Sequence, residues 1–350
     1  MQAIAMRALQ RWLIGCATTL LWCGLSAAGA AAAATVTTAA STAQPPVLRY
    51  GQAYSAARSI YSLPVNIAER EGLFKKEGLD FRIVIPLPGG ADRIIASLHD
   101  DTVDVAHVAT TFLVRAALAG SDAVAIAAEF NNPIYTLVAQ PDITRMSDLK
   151  GKLVGMADPG GSIAISMRRL LGMHGIRDSD LKIRVIEGTP TRLLCLRRGE
   201  CAAVPLGQPQ DLQAQSEGYR VLGFSTDAVP EFLYTVTAAR RSWAAANRDT
   251  VLRYVRGLAA AFRIIRDPSR RDMVIKTIVD TTGVTPAIAA QTLTLYFSPE
   301  KKVLPRQGEI ELAGLTQAIA FMAEAGHLKG PLPPADQFAD LSYLQAAGIR

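Results

Sequence analysis

One order of elements occurs twice along this chain, and it restricts the fold more than any single motif does. The first copy opens on "LRYGQAY" (48–54), whose alternation of apolar and polar residues predicts a strand. A polar loop, "SAARSIYS", comes next, then a helix "LPVNIAEREG" stopped at Gly72, then a turn at Gly78 that feeds the strand "LDFRIVIPL". The second copy opens on "GKLVGMA" (151–157), passes through the loop "DPGGS" into the helix "IAISMRRLLGMHG", stops at Gly175 and enters a strand within "DLKIRVIEG". Each copy then repeats loop, amphipathic helix, acidic turn and buried strand: "PGGADRIIASLHDDTVDVAHVATT" in the first, "TPTRLLCLRRGECAAVPLGQP" in the second. The order β-α-β-α-β therefore stands at 48–110 and again at 153–209. Strands alternating with helices predict parallel sheets covered by helices on both faces, with the ligand loops at the carboxyl ends of the strands. Two such domains facing each other form a cleft lined by the loops of each.

Between the copies, Tyr135–Ala139 reads as an extended segment, and "EFLYTVTAARRSW" (231–243) is its counterpart after the second copy. Two crossings between domains suit a two-strand hinge. From Ala244 onward the pattern is helical, broken at Pro331–Pro334, and these helices are expected to pack on the first lobe. The resulting division is a first lobe of residues 47–138 plus 236–350 and a second lobe of residues 139–235.

Ahead of the first copy, Arg7 and Arg11 precede the apolar run "WLIGCATTLLWCGLSAAGA", which decays into small residues such as Ala28-Gly29-Ala30. A basic start, an apolar middle and an A-x-A-like end predict a cleaved export signal over 1–34 and a periplasmic location. A permanent membrane anchor is the weaker alternative, because the run turns Ala/Gly-rich and no basic stop follows it. The "LIGC" box at Cys16 lies too close to Arg11 for a lipoprotein signal. Residues 35–46 read as a disordered lead-in.

Cys16 and Cys23 leave with the signal, so Cys195 and Cys201, flanking the turn "CLRRGEC", are the remaining cysteines of the chain's four. A disulfide and a pair of small core side chains are both open for them. The formal charge of +6 drops further with Arg7 and Arg11, and the pairs Arg240-Arg241 and Arg270-Arg271 read as solvated helix ends. No nucleic-acid partner is expected, and four histidines make a multi-histidine metal site an unfavoured reading. No paired carboxylates and no nucleotide fingerprint stand out, so no cofactor and no enzymatic activity are expected.

Several segments resemble one known family. "IAEREGLFKKEGLDFRIV" is similar to the helix and glycine-bounded turn that solute-binding proteins of ABC importers place before a strand. "SDLKGKLVGMADPGGS" resembles their DLKGK-x-VG segment opening the second domain, and "LRRGECAAV" and "GHLKGPLPPADQFADLSYL" resemble further stretches. The matching subgroup is the sulfonate-, nitrate- and taurine-type and the thiamine-pyrimidine-precursor type. The resemblance covers most of 48–345. It implies a bilobed type II periplasmic-binding-protein fold, a monomer that closes on a solute and delivers it to a membrane permease. The enzymatic branch of the family carries a clustered-cysteine, iron-binding motif that this sequence lacks.

Candidate ligand residues follow from the loops. In "DPGGS", Gly160 and Gly161 let backbone N–H groups approach a ligand, and Ser162 begins a helix whose amino end favours an anion. Read as a nucleophile elbow, "GGSIA" lacks the final glycine of G-x-S-x-G, which leaves a hydrolase centred on Ser162 as the minor reading; a bare tight turn is the bland one. In the first lobe, Tyr54 offers a stacking ring and Arg58 a fork for an acidic group. Gly89 and Gly90 repeat the glycine turn after the second strand, and Thr110 and Thr111 offer hydroxyls at the end of the third. His107, inside that strand, reads as a hydrogen-bonded core residue. Asn131 at the hinge, Thr189 and Gln208 complete the set. Expected of the whole is capture of a small anionic or planar polar solute, with an exported enzyme or a ligand-sensing receptor subunit on the same scaffold as alternatives.

Overall fold

The computed structural model describes residues 44–85 and 91–349. Ten strands form within them: β1 (Val47–Gly51), β2 (Asp80–Val84), β3 (Val105–Ala109), β4 (Ala123–Phe130), β5 (Tyr135–Ala139), β6 (Leu153–Met156), β7 (Lys182–Val185), β8 (Ala203–Gly207), β9 (Arg220–Phe224) and β10 (Thr235–Arg240). They build two five-stranded sheets, ordered β2-β1-β3-β10-β4 and β7-β6-β8-β5-β9. The longer helices are α1 (Leu63–Arg70), α2 (Ala91–His99), α3 (Thr110–Leu118), α4 (Ser162–Met173), α5 (Thr189–Arg197), α6 (Arg248–Arg266), α7 (Arg271–Thr282), α8 (Pro286–Tyr296) and α9 (Leu312–Glu324). The doubled order of the sequence is thus the order of the structure, and the fold is bilobed α/β. The export signal and the pair Gly89–Gly90 lie outside the described residues.

One expectation needs correction. The repeated units do run parallel, β1 with β2 and β3, β6 with β7 and β8. Each sheet, however, also holds one antiparallel strand: β10 between β3 and β4, and β5 between β8 and β9. The reason is the path of the chain. β4 leaves its sheet at Phe130, β10 re-enters beside that exit with Thr235 opposite Phe130, and a strand starting where its neighbour ends must run the other way. The chain joins the second sheet at Tyr135, ahead of the boundary expected at 139, and the first sheet again at Thr235.

Burial explains the strands' composition. All eight residues of β4 and all five of β5 and β8 are buried, which is why they read as continuous apolar runs. Helix α6 lays Val251, Tyr254, Val255, Leu258, Phe262 and Ile265 along one stripe at helical spacing, and it packs against α1. Tyr254 stacks on Phe74 with ring centroids 5.5 Å apart, and Phe74 on Phe81 at 4.1 Å. Cys195 and Cys201 are joined in a disulfide, with Cα atoms 5.5 Å apart, inside a small cluster that includes Leu196, Val204 and Leu206.

The two crossings between sheets, 131–134 and 225–234, are bound to one another. Tyr234 N–H donates to Phe130 O at 3.0 Å, and Tyr135 N–H donates to Ser225 Oγ at 2.8 Å. Asn132 Nδ2 donates to Pro230 O at 3.0 Å and to Lys301 O at 2.8 Å. Helix α9 lies against the return crossing at Gly314, whose carbonyl accepts from Leu233 N–H at 3.0 Å.

Candidate ligand-binding site

A cavity of about 150 Å³ opens where the two sheets meet. Tyr61 and His107 line it from the first-sheet side, Tyr135, Arg192 and Gln208 from the second, and Tyr234 from the return crossing.

Arg192 dominates its electrostatics. Gly188, at φ +77°, takes a left-handed turn into α5, and the helix starts "TPT" with proline in its first turn. Thr189 and Arg192 then stand three residues apart on one helical face. Arg192 is 1 % exposed, the largest of the fully buried side chains. Its Nε donates to Pro205 O at 2.7 Å, one terminal nitrogen to Ile186 O at 3.0 Å and the other to Thr189 Oγ1 at 3.1 Å. These acceptors are neutral. They use three of the five N–H groups of the guanidinium and leave its charge unbalanced by any directly bonded carboxylate. Burial pulls the Arg192 pKa below the usual arginine value, against the opposing pull of Glu187, a carboxylate that also lines the cavity.

The opposite wall rests on a buried carboxylate. Glu129 sits at a bulge in β4, where Thr235 pairs with Phe130 and Val236 with Ala128, so that Glu129 is passed over. Its oxygens accept from Tyr50 Oη (3.0 Å to each) and from Thr237 Oγ1 at 2.6 Å, and His107 Nδ1 lies 2.6 Å from Oε2. Thr237 Oγ1 is also 2.8 Å from Tyr254 Oη. His107, opposite Thr237 in the β3–β10 ladder, thus has one nitrogen turned to Glu129 while the ring lines the cavity.

Tyrosines make the remaining wall. Tyr61 and Tyr135 lie nearly parallel with centroids 6.1 Å apart, and Tyr234 meets them edge-on at 5.4 and 6.1 Å. Tyr135 Oη and Tyr234 Oη are 3.1 Å apart. Burial holds the Tyr61, Tyr234 and Tyr296 hydroxyls well above the usual tyrosine range, so each remains a donor.

Of the residues singled out in the sequence, Thr189 and Gln208 line the cavity. Gln208 precedes a cis-proline, donates through Nε2 to Asp211 at 2.8 Å and accepts from Tyr296 Oη at 3.1 Å. The others fall elsewhere. Ser162 Oγ and Thr111 Oγ1 are 3.2 Å apart and fully buried, one at the start of α4 and the other on α3, so they join the two lobes to each other. Thr110 Oγ1 donates to Leu233 O, on the return crossing. Gly160 packs under the Arg115 side chain with its N–H on Asp158, and Gly161 packs against Phe112. Asn131 N–H donates to Val303 O at 2.7 Å. Arg58 is exposed and is not among the cavity-lining residues, while Tyr54 begins a short helix, Tyr54–Ala57, whose Ser55 and Ala56 line the cavity. The side-chain partner of Ser162 Oγ is Thr111 Oγ1, while His99 is bonded to Ser121, His107 to Glu129 and His327 to the Pro159 carbonyl. Among the described residues no cluster of His, Cys, Asp and Glu could hold a metal ion, and no helix is long and apolar enough to cross a membrane.

A family model described as NMT1/THI5 like aligns with residues 59–270, more than half of the chain. The chain belongs to this NMT1/THI5-like family. Among curated proteins, the binding protein YtlA of Bacillus subtilis (strain 168) is 25% identical over 266 residues, 72% of this chain and 78% of YtlA. Among solved structures, the periplasmic nitrate-binding protein NrtA of Synechocystis PCC 6803 superposes with a TM-score of 0.73 at 13% identity, over 86% of this chain and 88% of NrtA. The alkanesulfonate-binding protein SsuA of Xanthomonas axonopodis pv. citri, bound to MOPS, gives 0.67 at 18% identity, over 84% and 98%. The same fold also carries catalysis, in the desulfurization enzyme DszB, at 0.63 and 14% identity over 86% and 98%. At these identities the superpositions establish the fold that the NMT1/THI5-like chain shares with them.

Proposed function

We propose that this NMT1/THI5-like protein is the solute-capturing component of an ABC importer, holding a small organic anion between its two sheets and presenting it to a membrane permease. Arg192 is the observation that carries the reading: a fully buried cation at a cavity, hydrogen-bonded to neutral acceptors, with two N–H groups left over and Glu187 as the nearby carboxylate. Binding-protein relatives and neighbours support it, as does the division of the cavity between two lobes. A ligand touching both lobes gains its full contacts only when they are closed, so capture is a shift in population toward the closed state.

Isothermal calorimetry against carboxylates and sulfonates tests this. The wild-type chain should bind at least one of them stoichiometrically without consuming it. Arg192→Gln, with its fold checked by circular dichroism, should weaken that binding by about a hundredfold, the scale of a buried charge-assisted hydrogen bond pair. Unchanged affinity in the variant, or turnover of the bound anion, would sink the proposal.

A further inference from the structure

The cavity's walls say more about its guest than its charge does. Its volume of about 150 Å³ is the size class that admits a benzene-sized molecule, too small for a nucleotide or a sugar chain. Three tyrosine rings, from Tyr61, Tyr135 and Tyr234, supply aromatic surface around it. One buried polar atom on its lining residues has no hydrogen-bond partner: Gln210 Oε1. Tyr61 is 6 % exposed, and its hydroxyl lies among those of Tyr135 and Tyr296. On the first-sheet side, His107 lines the cavity with Nδ1 taken up by Glu129 Oε2 at 2.6 Å, which leaves Nε2 as its second polar atom.

Resting on the anion-binding reading above, we propose that the guest is a monocyclic aromatic acid with a second hydrogen-bonding group on its ring, and that His107 is the residue that reads that group. The acid group meets the two remaining N–H groups of Arg192. The ring lies among the tyrosines, where burial of its faces is favoured over that of an aliphatic chain of equal length. The ring substituent reaches His107 Nε2. Glu129 is the positioning residue: fixed by Tyr50 and Thr237 at its other lone pairs, it sets which imidazole nitrogen is turned inward.

The test is calorimetric titration of the full chain with acetate, nitrate, taurine, benzoate and the three monohydroxybenzoates. A phenolic hydroxyl both donates and accepts, so it can pair with Nε2 whichever form the imidazole takes. Benzoate should bind at least about tenfold more tightly than acetate, and one hydroxybenzoate isomer about tenfold more tightly than benzoate. In His107→Gln, which retains a donor for Glu129, the ratio of that isomer's affinity to benzoate's should fall to about one. A purely structural loss would weaken both alike. If His107→Gln melts early, Glu129→Gln leaves the imidazole in place and should reduce the same preference.

Tight binding of acetate, nitrate or taurine with no gain from a ring overturns the aromatic-acid assignment and leaves the anion reading standing. A hydroxybenzoate preference that survives both variants overturns the role of His107. Failure of all seven probes overturns the anion reading along with it.

Discussion

At the scale of single residues, what was legible in the sequence depended on whether a side chain's role is set by its neighbours in the chain. Thr189 and Gln208 stand at a helix start and a strand end, but Thr110, Thr111 and Ser162 stand at such junctions too and fall outside the cavity lining, so position in the chain narrowed the choice without making it. Arg192 could not be picked out that way. In "TPTRLLCL" it is one basic residue in an amphipathic helix, and only the return of β8 beneath it, bringing the Pro205 carbonyl, buries its charge. The one available signal was Thr189 three residues earlier. His107 was read as a hydrogen-bonded core residue. It does bond to Glu129, but its ring also lines the cavity, and that required knowing where β4 bulges.

Asp211 behind Gln208 gives a prediction at this scale. It is buried, and burial raises its pKa above the ordinary aspartate value even though Thr136, Gln208 and the Leu212 N–H all donate to it. A carboxyl whose pKa is raised on folding makes the folded chain bind more protons than the unfolded one between the two values, so its contribution to stability declines as pH rises through that window. In urea titrations from about pH 4 upward, Asp211→Asn should therefore gain on the wild type as pH increases. A stability difference that stays constant with pH, or moves the other way, would show that this carboxyl is not the one titrating.

At the scale of elements, periodicity and glycine stops placed the repeated strands and helices, because each is a local pattern with a local cause. The antiparallel strands β5 and β10 were recognised as extended but not as sheet members: their partners are brought by the path of the chain, and no spacing in the sequence records it. Close approaches between elements are equally silent until seen. Gly314 in α9 is one: a Cβ there would lie 2.9 Å from Phe232 C and 3.0 Å from Leu233 N. Backbone cannot yield as a side-chain tip can. A Cβ on Gly257 in α6 would lie 2.6 Å from Phe74 Cδ1, yet an aromatic side chain has some freedom to shift. Gly314→Ala should thus cost about 3 kcal/mol and exceed Gly257→Ala, despite alanine's better helix propensity. Equilibrium unfolding of the two variants side by side decides it, and a Gly314→Ala chain as stable as wild type would mean that α9 can lift from the crossing at little cost.

At the scale of the whole molecule, side chains hold the seam between the lobes. The Thr111–Ser162 contact ties the starts of α3 and α4, and Arg169 on α4 reaches α9, stacking over Phe321 with its guanidinium 4.4 Å from the ring centroid and pairing with Glu324. Both contacts connect parts built around different sheets. Ser162→Phe would place a ring in a fully buried seam with no room for it, holding the halves apart without touching the cavity residues. Small-angle scattering should report a larger radius of gyration for this variant, with anion affinity reduced because the closed form has become scarcer. Equal radii for variant and wild type would mean that the seam is not where the lobes separate.

The placement of β10 bears finally on how the chain can be made. It sits between β3 and β4, yet it is synthesised only after all of the second sheet has emerged. Until residue 240 leaves the ribosome, β3 and β4 have no common neighbour, and the row of donors and acceptors that β10 will fill stays unmet. The second sheet has no such debt: β5 to β9 are consecutive in the chain and can assemble as soon as Phe224 is available. Vectorial synthesis therefore completes the later sheet first, and the earlier half of the chain remains unfinished until its last strand arrives.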